Sequence, residues 1–221
     1  MTNSTVVSSG SVDNLFMSRG SQAVFSNSIL SSSGTSYSAG KCYADAAAVI
    51  LSLGHNLSSD NTCLLTDPTD LNDNANINFG PLQANAPGVA KTHALLAGSA
   101  AIDAGNCATG LTQDDQRGVN RPQGPSCDIG SFEMRTPIAN NDAYAATAVR
   151  PLVLPAPGVL SNDVSPDGPP LSVYSVSTPA NGSVSFSSLG SISYTPIRDS
   201  SERTPLVTRC GTGSTRRTPP Q

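Results

Sequence analysis

The feature that most limits how this chain can fold is the shortness of its apolar segments. Thr5-Val6-Val7, Val12-Asp13-Asn14-Leu15-Phe16-Met17 and Ala23-Val24-Phe25-Ser26-Asn27-Ser28-Ile29-Leu30 each end in Gly or Ser turns. They recur roughly every ten residues, a length and spacing that suit short strands rather than helices. The pattern fits a sandwich or the successive faces of a parallel solenoid. Only two Glu (Glu133, Glu202) and two Lys (Lys41, Lys91) are present, so good helix formers are scarce outside Ala and Leu. Ser, Thr, Asn, Gly and Pro supply turns instead. An all-β chain is expected.

Charge excludes some functions. With a net charge of −4 over 221 residues and no Trp, there is neither a basic field for nucleic acid nor a strong stacking platform. The longest apolar run, Ala46 to Leu51, is too short to cross a bilayer. By its Val-Ile-Leu content and the Gly54 break, that run reads as a strand rather than a helix. Residues 1–20 lack the pattern of an export signal; if the parent protein is secreted, its signal is expected upstream.

Cys42 and Cys63 enclose 20 residues, and Cys107 and Cys127 enclose 19. Two loops of similar size fit two local disulfides. Four buried thiols in a reducing compartment are the alternative. The spacings are too long for a zinc site. Cys210 is left over. Asp67, Asp70 and Asp73 form an acidic loop that lacks the Gly and distal Glu of an EF-hand, so a solvated loop is preferred there over calcium.

Phe25-Ser26-Asn27-Ser28-Ile29-Leu30 resembles a rung of bacterial right-handed β-helices, in which an Asn at a bend stacks on its counterpart in the next rung. A stronger resemblance begins at Gly80-Pro81-Leu82-Gln83. It passes through Lys91-Thr92-His93-Ala94-Leu95-Leu96-Ala97-Gly98-Ser99-Ala100-Ala101-Ile102-Asp103-Ala104-Gly105-Asn106-Cys107 and Asp115-Gln116-Arg117-Gly118. It closes with Arg121-Pro122-Gln123-Gly124 and Cys127-Asp128-Ile129-Gly130-Ser131-Phe132-Glu133. These phrases, in this order, resemble the choice-of-anchor Q domain, which follows a pectate-lyase-like β-helix in large bacterial surface proteins. Departures are the Ala84–Val89 loop and Ala97 and Ala100, where Pro is common. The resemblance implies terminal rungs of a right-handed parallel β-helix over residues 1–79 and a loop-rich cap over 80–136. Leu95-Leu96 and Ala101-Ile102 are expected to close the apolar core. Arg117 and Arg121, near Asp114, Asp115 and Asp128 in sequence, are expected to be structural, with at least one in a hydrogen-bonded pair with an Asp.

Residues 137–197 carry Asn141-Asp142-Ala143-Tyr144, Gly158-Val159-Leu160-Ser161-Asn162-Asp163, Asp167-Gly168 and Ser191-Ile192-Ser193-Tyr194-Thr195-Pro196. They resemble the cadherin-like, Ig-like repeats of bacterial adhesins, here as a truncated β-sandwich lacking the final strand. In that resemblance Asp163 and Asp167, joined by Asp142, are candidate calcium ligands. Pro169 stands where a third acid is usual. Residues 198–221, with five Arg and no periodicity, read as a disordered tail with the look of a frame shift.

A β-helix raises glycan cleavage, but no paired carboxylates recur at rung spacing. His93, Ser99 and Asp103 make a triad only on paper, without a nucleophile elbow. The expected function is therefore non-catalytic: part of a bacterial secreted or cell-surface protein serving structural display or adhesion, with surface glycans or another cell's surface as partners. Two alternatives stand. One is the end of a carbohydrate-active β-helix lyase or hydrolase whose active site lies upstream. The other is a calcium-dependent spacer.

Overall fold

The computed structural model describes residues 1–8, 15–32, 42–73, 76–107, 113–147, 150–197 and 208–212. Within these the chain is all-β, with a 3-10 turn at Gly158–Leu160. It divides into two compact units, Met1–Arg135 and Thr136–Gln221.

Unit 1 begins with seven short strands: β1 (Thr5–Ser8), β2 (Leu15–Met17), β3 (Gln22–Phe25), β4 (Ile29–Ser32), β5 (Cys42–Ala44), β6 (Val49–Ser52) and β7 (Leu57–Ser58). All their pairings are parallel. β4 lies between β1 and β7, β5 pairs with β2, and β6 pairs with β3. Thr5 is opposite Ile29 and Ile29 opposite Leu57, while Leu15 faces Cys42 and Gln22 faces Val49. Three separate parallel sheets, β1-β4-β7, β2-β5 and β3-β6, thus lay successive stretches of the chain beside one another. A turn or bend follows β2, β3, β5, β6 and β7, which keeps these strands short.

One bend recurs in register. Asn3, Asn27 and His55 stand two residues before Thr5, Ile29 and Leu57, and all three have positive φ, at 47°, 47° and 53°. Asn tolerates this left-handed conformation better than most residues. The expected stack of Asn27 on its counterpart takes a different form. Asn3 and His55 flank Asn27 in its column, whereas Asn56 aligns with Ser28 and accepts a bond from the Ser28 N–H at 3.0 Å. The Asn27 side chain turns instead to the closing segment. It donates to Asn106 O at 2.7 Å and accepts from Asn106 N at 2.9 Å.

Phe25, Ile29, Leu30 and Leu57 are buried, and Ile29 and Leu30, adjacent in β4, point to opposite faces and join different clusters. Phe25, Leu30, Cys42, Cys63 and Leu65 form one apolar cluster. Ile29 and Leu57 form another with Ile77, Leu95, Ala101, Ile129, Phe132 and Met134. Leu95 and Ala101 therefore join the core as expected, and Ile102 packs at its margin, but Leu96 is 41% exposed. Leu95 ends an antiparallel hairpin of β8 (Phe79–Ala84) and β9 (Lys91–Leu95), with a bulge between Phe79 and Leu82. Alternation there allows only one of two adjacent leucines to face inward.

Cys42–Cys63 and Cys107–Cys127 are disulfide-bonded, with Cα separations of 4.8 and 5.3 Å, inside the ordinary range. Replacing Cys42 and Cys63 together by Ser is expected to lower the stability of unit 1 by about 3 kcal/mol, chiefly by freeing the unfolded chain. Denaturant melts of the two proteins without reductant measure the difference.

Unit 2 contains β10 (Leu152–Leu154), the 3-10 turn Gly158–Leu160, β11 (Leu171–Val176), β12 (Gly182–Phe186), β13 (Ile192–Pro196) and β14 (Thr208–Thr212). β13 lies between β10 and β12, and β14 pairs with β11, all antiparallel. Val159, Leu160, Val173 and Ile192 make the core, with Tyr144, Leu171, Val176 and Val184 packed on it. β14, at 208–212, departs from the expectation of a disordered tail at those five positions. The backbone of 208–212 satisfies an edge of β11, a demand that main-chain groups meet whatever the side-chain pattern. Residues 198–207 and 213–221 lie outside the described residues.

Candidate functional site: a buried polar network in the closing segment

Among the described residues, a cluster of buried charged groups lies where residues 101–107 and 113–134 meet the parallel strands. It starts from a tight turn. Asp115 N donates to Val119 O at 2.8 Å, Gly118 N donates to Asp115 O at 3.0 Å, and Gly118 takes φ +84°. The Asp115 carboxylate fills the turn from inside. Its Oδ1 accepts from Arg117 N (2.7 Å) and Val119 N (3.0 Å), and its Oδ2 from Glu133 N (2.9 Å) and Arg117 Nε (2.8 Å). A short acidic side chain that captures nearby N–H groups is a usual way to hold such a loop.

Arg117 then reaches outward from that carboxylate. Its Nη1 donates to Ala86 O at 3.1 Å and its Nη2 to Glu133 O at 2.5 Å. The guanidinium lies 3.5 Å over the Phe132 ring, a cation–π contact strengthened by burial. Gly88 is needed alongside, since a Cβ there would come within 2.7 Å of Arg117 Cα.

A second set adjoins the first. Arg121 Nη1 donates to Glu133 Oε2 (2.9 Å) and Asp128 O (2.8 Å), and Nη2 donates to Gly130 O (2.7 Å). Glu133 also accepts from Gln123 N and Asp128 N, both at 2.8 Å. The Asp128 carboxylate accepts from Asp103 N (2.7 Å) and Met134 N (2.6 Å). Asp128 thereby ties two stretches of loop together. Burial, and then the charge of Glu133, pushes its carboxyl up to about 7. Burial raises Glu133 as well, against the pull of its two N–H donors and of Arg121.

The network anchors to the parallel strands through its backbone. Gly130 N donates to Asn27 O at 2.8 Å and Ser131 N to Thr5 Oγ1 at 3.0 Å. Gly130 has φ +99°, and a Cβ there would lie 2.6 Å from Thr5 Oγ1.

Arg117, Asp115 and Glu133 side chains are 0% exposed and Arg121 is 2% exposed. No outside molecule reaches these groups, so what they do chemically is hold an irregular loop in one conformation. A buried charge network of this kind specifies a structure more than it stabilises one. Arg117 and Asp115 are thus brought together. Arg121 meets only the main-chain oxygen of Asp128, and its carboxylate partner is Glu133, for which the sequence suggested no role.

The remaining sequence candidates are dispersed. His93 Nδ1 is 2.8 Å from Gly80 O, and the Ser99 hydroxyl donates to Ile77 O, so neither is poised toward the other. Asp67 accepts from the Thr69 hydroxyl and N–H, which hold its carboxyl below the usual range. Asp70 accepts from Asn56 N at 2.9 Å and Asp67 N at 3.0 Å. In unit 2, Asn140 N donates to Asp163 Oδ1 at 2.8 Å and Tyr144 OH to Asp142 Oδ1 at 3.1 Å. Burial, with a smaller contribution from the Asp163 charge, raises Asp142. Asp167 lies in the turn closed by Gly168 N donating to Ser165 O. Asp142, Asp163 and Asp167 do not converge: among the described residues no group of three or more His, Cys, Asp or Glu is placed to hold a metal ion.

Residues 135–208 match the family model described as a bacterial Ig domain. No curated protein and no solved structure matches the chain. A bacterial Ig-like domain points to a surface or structural module. Among the described residues no helix is long and apolar enough to cross a membrane.

Proposed function

We propose that this chain is a non-catalytic part of a bacterial secreted or cell-surface protein, used for structural display or adhesion. In this reading unit 1 is the closing end of a parallel β-helix, capped by residues 80–136 after the manner of a choice-of-anchor Q domain. Unit 2 is an Ig-like spacer. The observation that carries the proposal is the match of residues 135–208 to a bacterial Ig domain. The parallel pairings that return every 24 to 28 residues, as Thr5 to Ile29 and Ile29 to Leu57 do, support the solenoid reading. Two disulfides fit an oxidising compartment. The charged groups of the closing segment are spent on loop conformation, which favours a scaffold over an enzyme.

Antibody labelling of intact source cells tests the proposal. Labelling without lysis is the expected result, together with Cys42, Cys63, Cys107 and Cys127 resisting alkylation until reductant is added. Labelling only after lysis, with all four thiols free, overturns it.

A further inference from the structure

We propose that Asn181–Gly182 is a spontaneous modification site in unit 2, where the Gly182 amide nitrogen attacks the Asn181 carboxamide, ammonia leaves, and water opens the resulting ring to a carboxylate.

The chain has one Asn-Gly pair. Asn181 ends the turn after β11, and Gly182 opens β12. Asparagine is among the thermolabile side chains. A glycine after it leaves the attacking nitrogen unshielded, since there is no Cβ to block close approach. Both residues are partly exposed, so water reaches them.

The register of β12 on β13 frees the nitrogen. Ile197 N donates to Asn181 O at 3.1 Å, and Ser187 N donates to Ser191 O at 3.0 Å. Bonded and non-bonded pairs alternate along an antiparallel ladder. Those two bonds make Gly182 and Pro196 a non-bonded pair, like Val184 with Tyr194 and Phe186 with Ile192. β12 is the outer strand of its sheet. The Gly182 N–H therefore points away from β13, toward an edge that no strand of that sheet covers. The carboxamide is free as well. Bonds to Asn181 go to its main-chain oxygen, from Tyr194 OH at 2.6 Å and from Ile197 N. Among the described residues none fixes its side chain.

Two comparable steps in the same molecule are tied. At Asn27–Ser28 the carboxamide exchanges two bonds with Asn106, and Ser28 N donates to Asn56 Oδ1 at 3.0 Å. At Asp167–Gly168 the glycine nitrogen donates to Ser165 O at 3.2 Å.

The reaction balances with water as its one co-reactant. A bond forms between Gly182 N and Asn181 Cγ, the bond from Cγ to Nδ2 breaks, and the Gly182 amide proton ends on the departing ammonia. One water then adds to either ring carbonyl. Addition at Cγ leaves an aspartate at position 181. Addition at the main-chain carbonyl leaves an isoaspartate, with the backbone routed through the side-chain methylene. Either product adds a negative charge to a chain of net charge −4. In the isoaspartate the oxygen that takes the Tyr194 and Ile197 bonds no longer belongs to the main chain, which opens this end of the β12–β13 pair.

The test uses the full chain. It is kept for weeks in heavy-oxygen water at mildly acidic and mildly alkaline pH, with and without denaturant, then digested and mapped by mass spectrometry. The expected result in the native protein is loss of ammonia and uptake of one heavy oxygen in the peptide carrying Asn181, faster at the alkaline pH, with none at Asn27 or Asp167. Asn181→Gln, whose ring would be one atom larger, should abolish the change. Conversion only in denaturant, an equal rate at Asn27, or a signal that survives in N181Q overturns the proposal. Should N181Q fail to fold, the map of the native chain with and without denaturant decides alone.

Discussion

Arg121→Met is expected to destabilise unit 1 by about 3–5 kcal/mol, the usual loss when one member of a buried charge pair is removed. Methionine keeps most of the length and apolar stem. What disappears are the bonds from Nη1 to Glu133 Oε2 and Asp128 O and from Nη2 to Gly130 O. Glu133, which is fully buried, is left with two N–H donors and no cation. Adding Glu133→Gln should recover part of the loss, because the amide carries no charge to strand. Denaturant melts of native, single and double variants provide the cycle. A loss below about 1 kcal/mol for R121M would mean that water or another group satisfies Glu133, and the network would not be the structural centre of the segment.

The second large effect is expected in unit 2. Gly190 has φ +91°, and a Cβ there would stand 2.0 Å from Pro157 O and 2.9 Å from Leu160 Cγ. Facing it, a Cβ on Gly158 would stand 2.2 Å from Gly190 O. The two backbones touch because Val159 N donates to Gly190 O at 3.1 Å, seating Val159 and Leu160 in the core. Gly190→Ala combines a left-handed penalty of roughly 1–2 kcal/mol with displacement of packed backbone costing roughly 1–3 kcal/mol. A loss of about 3 kcal/mol is expected by calorimetry. Gly168→Ala is the control. Its φ is similar, at +87°, but a Cβ there would meet nothing within 4 Å, so it should show the backbone penalty alone.

Much of the strand pattern is legible in the sequence because local alternation writes it. Ala23 and Phe25 on the one hand, and Leu171 and Val173 on the other, face inward where the spacing puts them, whereas the burial of both Ile29 and Leu30 needs a cluster on each face of β4. The Asp115–Arg117 contact is legible for the same reason: two residues and one glycine turn suffice to make it. The partners of Glu133 are another matter. Its donors are Arg121 and two backbone N–H groups, and main-chain donors leave no mark on residue type. A carboxylate set between Phe132 and Met134, in a chain with two Glu, is the one hint the sequence offers. The Asn27–Asn106 exchange spans 79 residues, and strand β14 pairs through main-chain groups that any sequence carries. Neither is encoded in a local pattern.

The bond from Ser131 N to Thr5 Oγ1 joins residues 126 apart. It gives unit 1 an order of assembly. Parallel turns such as β1 on β4 close loops of some two dozen residues and can form while the chain is still arriving. The seal over Ile29 and Leu57 cannot, because Ile129 and Phe132 come last. A chain made from its N-terminus therefore carries an unfinished apolar end until residue 134 emerges. Closing that apolar end therefore waits on the last residues of unit 1, Ile129 and Phe132 among them.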